Sequence, residues 1–275
     1  MTEFRPSRFQ QLPSIVKNLI IINVLVFLIA QLFESRGLSV NGASFDDLFA
    51  LHYWQSSKFR WWQLFTHLFM HANITHIFFN MFALWMFGRI LENLWGPKRF
   101  LIFYIVCGLG AAFCHLGVLT FEFTNYHSAF MTYQQNPNPT NFLYFLRHHG
   151  LGVDQQFMDY WGTDPQSPNA IQESIRFLHA HYTDMIDEPT IGASGAVFGL
   201  LFAFGYLFPN TLLYLYFAIP VKAKWFVTGY ALLELFSGIR DSAGDNIAHF
   251  AHLGGMLFAF IMLRFWKDNS RNNFY

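Results

Sequence analysis

Apolar runs of bilayer-spanning length leave this chain few folds to choose from. Residues 16–32, 74–91, 100–121, 191–208, 225–237 and 248–265 form six stretches rich in Leu, Ile, Phe, Ala and Gly. A helix needs roughly 20 such residues to cross the hydrocarbon core. Inside lipid the backbone must satisfy its own hydrogen bonds, so each run is expected to be a helix. The fifth is the weakest, being short and carrying Glu234. Only 12% of the 275 residues are charged and the formal net charge is zero, whereas soluble domains carry about 25% charged residues. That balance argues against nucleic-acid binding and against a polybasic membrane anchor. An integral multi-pass membrane protein is the reading, with the lipid bilayer as its first partner.

Charge placement gives an orientation. With both termini cytoplasmic, Arg36, Lys58, Arg60, Arg147, Arg176 and Arg240 fall on outer segments, and every other lysine and arginine falls on an inner one. Cytoplasmic loops collect these residues. The first apolar run follows a short basic N-terminus but no small-residue cleavage site follows it, so it reads as a retained span. No transit peptide precedes it, and a bacterial inner (plasma) membrane is the expected location. Cys107 and Cys114 lie seven apart in one run, two helical turns on the same face, and read as small packing residues rather than a disulfide.

Two outer segments are long. Residues 34–73 hold Tyr53, Trp54, Phe59, Trp61, Trp62 and Phe65, ring types that favour the membrane interface. This first loop is expected to dip into the headgroup zone. Residues 124–189 are polar and include Gln134-Gln135-Asn136-Pro137-Asn138-Pro139, a turn or disorder signature. Helical spacing at 165–182 suggests one or two short helices in an extramembranous insertion. His148-His149 and His179-x-His181 lack a carboxylate or cysteine that would complete a ligand pattern, so no metal and no cofactor are expected.

The chemistry sits where three runs begin. Gly192-Ala193-Ser194-Gly195 opens the fourth, and a serine between small residues there is either a packing device, as in Gly195-x-x-x-Gly199, or a nucleophile. His249 and His252 open the sixth, and an ionisable side chain in a span is a functional candidate by default, interfacial hydrogen bonding being the bland alternative. Runs four and six both enter from the outer face, so Ser194 and His252 share a depth. His76 and Asn80, one turn apart, open the second run after His71. An oxyanion needs fixed donors of that kind.

Together, Gly192-x-Ser194-Gly195, Ala251-His252-x-x-Gly255 and His71-x-x-x-x-His76-x-x-x-Asn80 closely resemble the rhomboid family of intramembrane serine proteases. The stretch Glu92-Asn-Leu-Trp95-Gly96 and the interfacial first loop are similar as well, and only about residues 124–189 fall outside the likeness. The resemblance implies an all-α six-transmembrane-helix bundle forming one domain over residues 1–275, with an extracytoplasmic insertion at about 124–189 between helices 3 and 4. It implies a Ser194 nucleophile, His252 as general base and acid, and an oxyanion hole of His76, Asn80 and the Ser194 backbone N–H. Phe198 matches the position of an aromatic that stacks on the catalytic imidazole, in a dyad without the orienting aspartate of soluble triads. The implied partners are transmembrane protein substrates, cleaved in or next to their membrane helices from the extracytoplasmic face.

His249 is the rival base. Gly255 and Ala259 supply the small stripe that would let His252 approach Gly195 and Gly199, and from His249 the same count lands on a bulky His252. His67 and His71 are expected to line a polar cavity, and residues 238–246 with the fifth span to act as cap and lateral gate. Trp62-Gln63 stands where the family commonly has Trp-Arg, which is expected to weaken one loop hydrogen-bond anchor although glutamine can still donate, and Ala259 replaces a frequent glycine. Two other readings remain: a catalytically inactive relative that binds membrane clients, which loss of the serine or histidine would indicate, and a His-lined transporter, which would need intramembrane carboxylates. The oligomeric state is not legible.

Overall fold

The computed structural model describes residues 12–215, 219–240 and 249–271. Arg5, Arg8, Ala248 and loop residues 241–246, including Gly244, lie outside them. The chain is predominantly helical. Helix α1 (Ser14–Ser35) starts at Pro13, which offers no side-chain cap. Instead the buried Glu92 carboxylate accepts from the Ile15 and Val16 amides at 3.0 and 2.8 Å, supplying the anion that a helix N-terminus favours. Glu92 belongs to a continuous helix made of α4 (Ile74–Ala83), a wider π turn at Leu84–Gly88, and α5 (Arg89–Trp95).

Between them, the first loop carries α2 (Phe45–Phe49) and α3 (Gln63–Thr66), which runs into a 3-10 turn at His67–Phe69. Ser44 and Asp47 close a capping box on α2. Trp62 and Gln63 tie the two short helices together through the Leu48 and Asp47 carbonyls. Asn73 caps α4 by accepting from the His76 amide at 2.9 Å.

Helix α6 (Pro97–Gln135) is far longer than the third expected span. Tyr126, Phe130 and Tyr133 continue its helical spacing past the apolar run. They form a second core with α7 (Pro139–His148), α8 (Gln155–Thr163) and α9 (Pro168–Asp187). The insertion thus holds three helices built on a fourth, more than the one or two short helices expected. The break falls at residues 136–138, inside the turn signature, where Asn138 caps α7. His149 packs at a tilt against the rings of Tyr126 and Phe145.

Helix α10 (Ser194–Leu207) is buried along most of its length, against α6 and α12 (His249–Arg271). A short antiparallel hairpin, β1 (Leu212–Leu215) and β2 (Ile219–Lys222), leads from it to α11 (Ala223–Arg240). This hairpin departs from the all-α expectation, because a short apolar run carries no period that separates strand from helix. Among the described residues, Ser14–Ser35, Ile74–Trp95, Pro97–Gln135 and His249–Trp266 are long and apolar enough to cross a membrane. α10 is apolar but only 14 residues long, about 21 Å at the helical rise. α11 carries Lys224, Glu234 and Arg240. Large apolar side chains such as Leu28, Phe78, Phe79 and Ile261 face outward, the reverse of a soluble surface.

Close approach at the centre depends on missing side chains. A Cβ on Gly255 would overlap the Gly195 carbonyl, so α12 and α10 meet backbone to backbone there. Gly195 also accommodates Ala111 of α6, and Gly199 accommodates Cys107 at 2.7 Å from the site of an added Cβ. Cys114 packs on Gly254 in the same way, and both cysteines are free.

Candidate active site

Ser194 is the first residue of α10, and the segment leading to it is clamped from three sides. Leu51 and Thr190 exchange backbone hydrogen bonds at 2.9 and 2.8 Å, and the Gly192 amide donates to the His67 carbonyl at 3.0 Å. The Thr190 hydroxyl pairs with His115 of α6 at 2.9 Å. Ser56 of the first loop donates to Asp187 at the end of α9, at 2.6 Å. Gly192 has a φ of 133°, a backbone state that side chains disfavour. An added Cβ would stand 3.0 Å from His76 Cε1. The first intrahelical bond of α10 runs from the Val197 amide to the Ala193 carbonyl, which leaves the amides of Ser194 to Ala196 without helical acceptors.

The Ser194 hydroxyl lies 2.9 Å from His252 Nε2. Phe198, one turn below, stacks on the His252 ring with centroids 4.0 Å apart and planes 5° apart. Both neighbours are those that the motifs imply; the carboxylate on the other edge of the imidazole is not among them. Glu234 Oε2 lies 2.9 Å from His252 Nδ1 and 2.6 Å from His249 Nδ1. The signal was available, since a carboxylate within an apolar run carries the same cost that singled out the histidines. His249 therefore faces Glu234 rather than the serine.

Glu234, His249 and His252 also form a donor set within 4.8 Å. Tetrahedral zinc, with bonds near 2.0–2.1 Å, spaces its ligands about 3.3 Å apart. Both imidazoles sit nearer than that to a single carboxylate oxygen, as hydrogen-bond donors do.

His76 and Asn80 share the cleft with Ser194 and His252. The Ala72 amide donates to His76 Nδ1 at 3.4 Å, so Nε2 is the protonated nitrogen. The buried Asn80 amide makes no hydrogen bond among the described residues. The cleft, of about 800 Å³, is lined by residues of α4, α6, α10, α11 and α12, and by Met185 and Glu188 near the end of α9. His67 and His71 do not line it, contrary to expectation. His67 is buried behind the serine segment with Nδ1 donating to the Gln63 carbonyl at 2.7 Å. His71 packs edge-on against His76, its own ring nitrogens unpartnered among the described residues. Burial pushes both imidazoles down to about 4, which keeps them neutral.

Gln63 anchors the first loop through four hydrogen bonds. It is fully buried, accepts from the His52 and Arg60 amides at 3.3 and 3.0 Å, and donates to the Asp47 and Lys58 carbonyls at 2.9 and 3.0 Å.

Residues 58–127 and 170–267, well over half of the chain, match the family model described as Rhomboid domain. The chain is 26% identical over 217 residues to an uncharacterized mitochondrial rhomboid protein of Schizosaccharomyces pombe, covering 77% of this chain and 53% of that protein. Over 250 residues it is 26% identical to RHOMBOID-like protein 12, mitochondrial, of Arabidopsis thaliana, covering 90% and 56%. A 69-residue stretch is 36% identical to rhomboid protease GluP of Bacillus subtilis, 25% of this chain and 13% of that one. The chain spans little more than half the length of the first two relatives. Both are named as mitochondrial, which runs against the expected bacterial inner membrane.

Proposed function

The chain belongs to the rhomboid family, and on that premise we propose that it is an intramembrane serine protease in which Ser194 and His252 form the catalytic pair. The observation that carries the reading is the 2.9 Å Ser194–His252 hydrogen bond in the wall of the cleft. Ser194 Oγ attacks the scissile carbonyl carbon as its proton passes to His252 Nε2, and the carbonyl π electrons move onto oxygen. His76 Nε2–H, the Asn80 amide and the Ser194 backbone N–H are the donors for that oxyanion. Collapse breaks the C–N bond, His252 returns the proton to the amine, and water then releases the acyl group by the same route.

The substrates are transmembrane proteins cut in or beside a membrane helix. Helical peptide bonds are shielded by their own hydrogen bonds, so helix-breaking or small residues near the cleavage point favour the required unwinding. In this reading the whole chain is one rhomboid domain of six spans, with cytoplasmic termini and the insertion at about 124–189 outside. A 14-residue α10 is short for a span, and in this reading it begins part-way into the bilayer with Ser194 below the surface, reached by water through the cleft. Exposed Trp54, Trp61 and Phe65 seat the first loop in the headgroup zone. Helix α11, packed less extensively than α10 or α12, is the side from which a substrate helix enters.

The test is cleavage of a labelled transmembrane substrate by the purified protein in liposomes, with a fluorophosphonate probe as second readout. Ser194→Ala and His252→Ala are expected to abolish both. Cleavage that survives in Ser194→Ala would sink the assignment, and loss in His249→Ala alone would move the base by one turn.

A further inference from the structure

We infer that Glu234 is a positioning residue that completes the Ser194–His252 pair as a Ser–His–Glu triad, an inference that rests on the protease reading above. A carboxylate within a membrane helix is costly, and Glu234 is only 8% exposed. It lies on α11, while the serine and the base lie on α10 and α12, and its Oε2 reaches His252 Nδ1 at 2.9 Å. With that nitrogen donating, the proton of neutral His252 is held on Nδ1 and the Nε2 lone pair is turned toward Ser194 Oγ. The third side of the ring is held by Phe198. His249 donates to the same oxygen at 2.6 Å, which fixes the carboxylate in turn.

When the Ser194 proton moves to His252 Nε2, the imidazolium forms beside an ionised carboxylate. The pair is then neutral overall, an advantage that grows as the surroundings become less polar. Glu234 takes no proton at any step; the proton goes from Ser194 to His252 and from there to the leaving amine. Because the carboxylate rides on α11, the position of that helix decides whether the base is oriented.

The experiment compares wild type, Glu234→Gln, Glu234→Asp and Ser194→Ala in liposomes, measuring kcat and KM on the labelled substrate and the rate of fluorophosphonate labelling. Loss of an orienting carboxylate in soluble triads costs up to about 10⁴-fold. Glu234→Gln is expected to lower kcat and labelling by about 10²- to 10⁴-fold with KM little changed, and Glu234→Asp to recover part of the loss. Wild-type kcat in Glu234→Gln alongside a dead Ser194→Ala would overturn this inference and leave the protease reading standing. An active Ser194→Ala would overturn that reading instead. If Glu234→Gln does not fold, the histidine ¹⁵N spectrum of the wild type decides. A hydrogen-bonded proton on His252 Nδ1 supports the triad, and one on Nε2 refutes it.

Discussion

Phe198 lies flat on the His252 imidazole, 4.0 Å between ring centroids and 5° from parallel. The stacked face leaves the ring one plane in which to turn, so its two nitrogens point at Ser194 and Glu234 together. Aromatic pairs of this kind contribute about 0.5–1.5 kcal/mol. Phe198→Leu is expected to slow fluorophosphonate labelling of Ser194 by up to about tenfold, whereas Phe198→Tyr keeps the ring and the rate.

Gly255 allows no side chain, because its Cβ would fall on the Gly195 carbonyl. Gly255→Ala must therefore push α12 from α10 and lengthen the Ser194–His252 distance. Overpacking of this kind costs about 1–3 kcal/mol. The expected outcome is a lower unfolding temperature in detergent together with loss of cleavage. A fully active, equally stable Gly255→Ala would mean that the backbones need not meet so closely.

Gly192→Ala strains a left-handed backbone and brings a methyl to 3.0 Å from His76 Cε1 and 3.1 Å from Nε2. Displacing one oxyanion donor typically costs about 10²–10³ in kcat. Cleavage kinetics of Gly192→Ala and His76→Ala are expected to fall together, with KM nearly unchanged and no further loss in the double variant.

Gln63→Ala leaves two amides and two carbonyls of the first loop unpaired, at about 1–3 kcal/mol for each group that water cannot reach. Gln63→Arg is expected to fail as well, since a guanidinium cannot accept from the His52 and Arg60 amides. Limited proteolysis of residues 34–73 checks both; unchanged protection in Gln63→Arg would show that the loop can rearrange around a donor-only side chain.

Acid is expected to destabilise the protein through His67 and His71. Each ring has its pKa pushed by burial from 6.5 down to about 4, so below 6.5 the unfolded chain binds protons that the folded one refuses. The stability from neutral rings is complete above pH 6.5 and drains away as pH falls toward 4, by roughly 3 kcal/mol per histidine at most. Unfolding temperature measured across that window should fall, and His71→Phe should reduce the slope.

Much of this was readable from residue order. The apolar runs at 191–208 and 248–265, with Ser194 and His252 toward one end of each, follow from composition and spacing, and so does the face shared by His76 and Asn80. The small residue at Gly255 is legible in the sequence, and it is where α12 meets the Gly195 backbone. The insertion was less legible, because Tyr126, Phe130 and Tyr133 continue the α6 spacing through a polar stretch that a hydropathy pattern ends too early.

The sequence by itself determined that the chain spans a membrane repeatedly, and that a serine and a histidine stand at the heads of two apolar helices. Spacing along a chain carries such information, because periodicity and solvent preference are local. The tertiary structure alone decided that Glu234 on α11 meets both His249 and His252 on α12, and that Gln63 serves as a hub of four hydrogen bonds. It also buried His67 and His71 rather than setting them among the residues that line the cleft. These outcomes depend on how separate helices rotate and cross, and packing between distant segments sets that rotation.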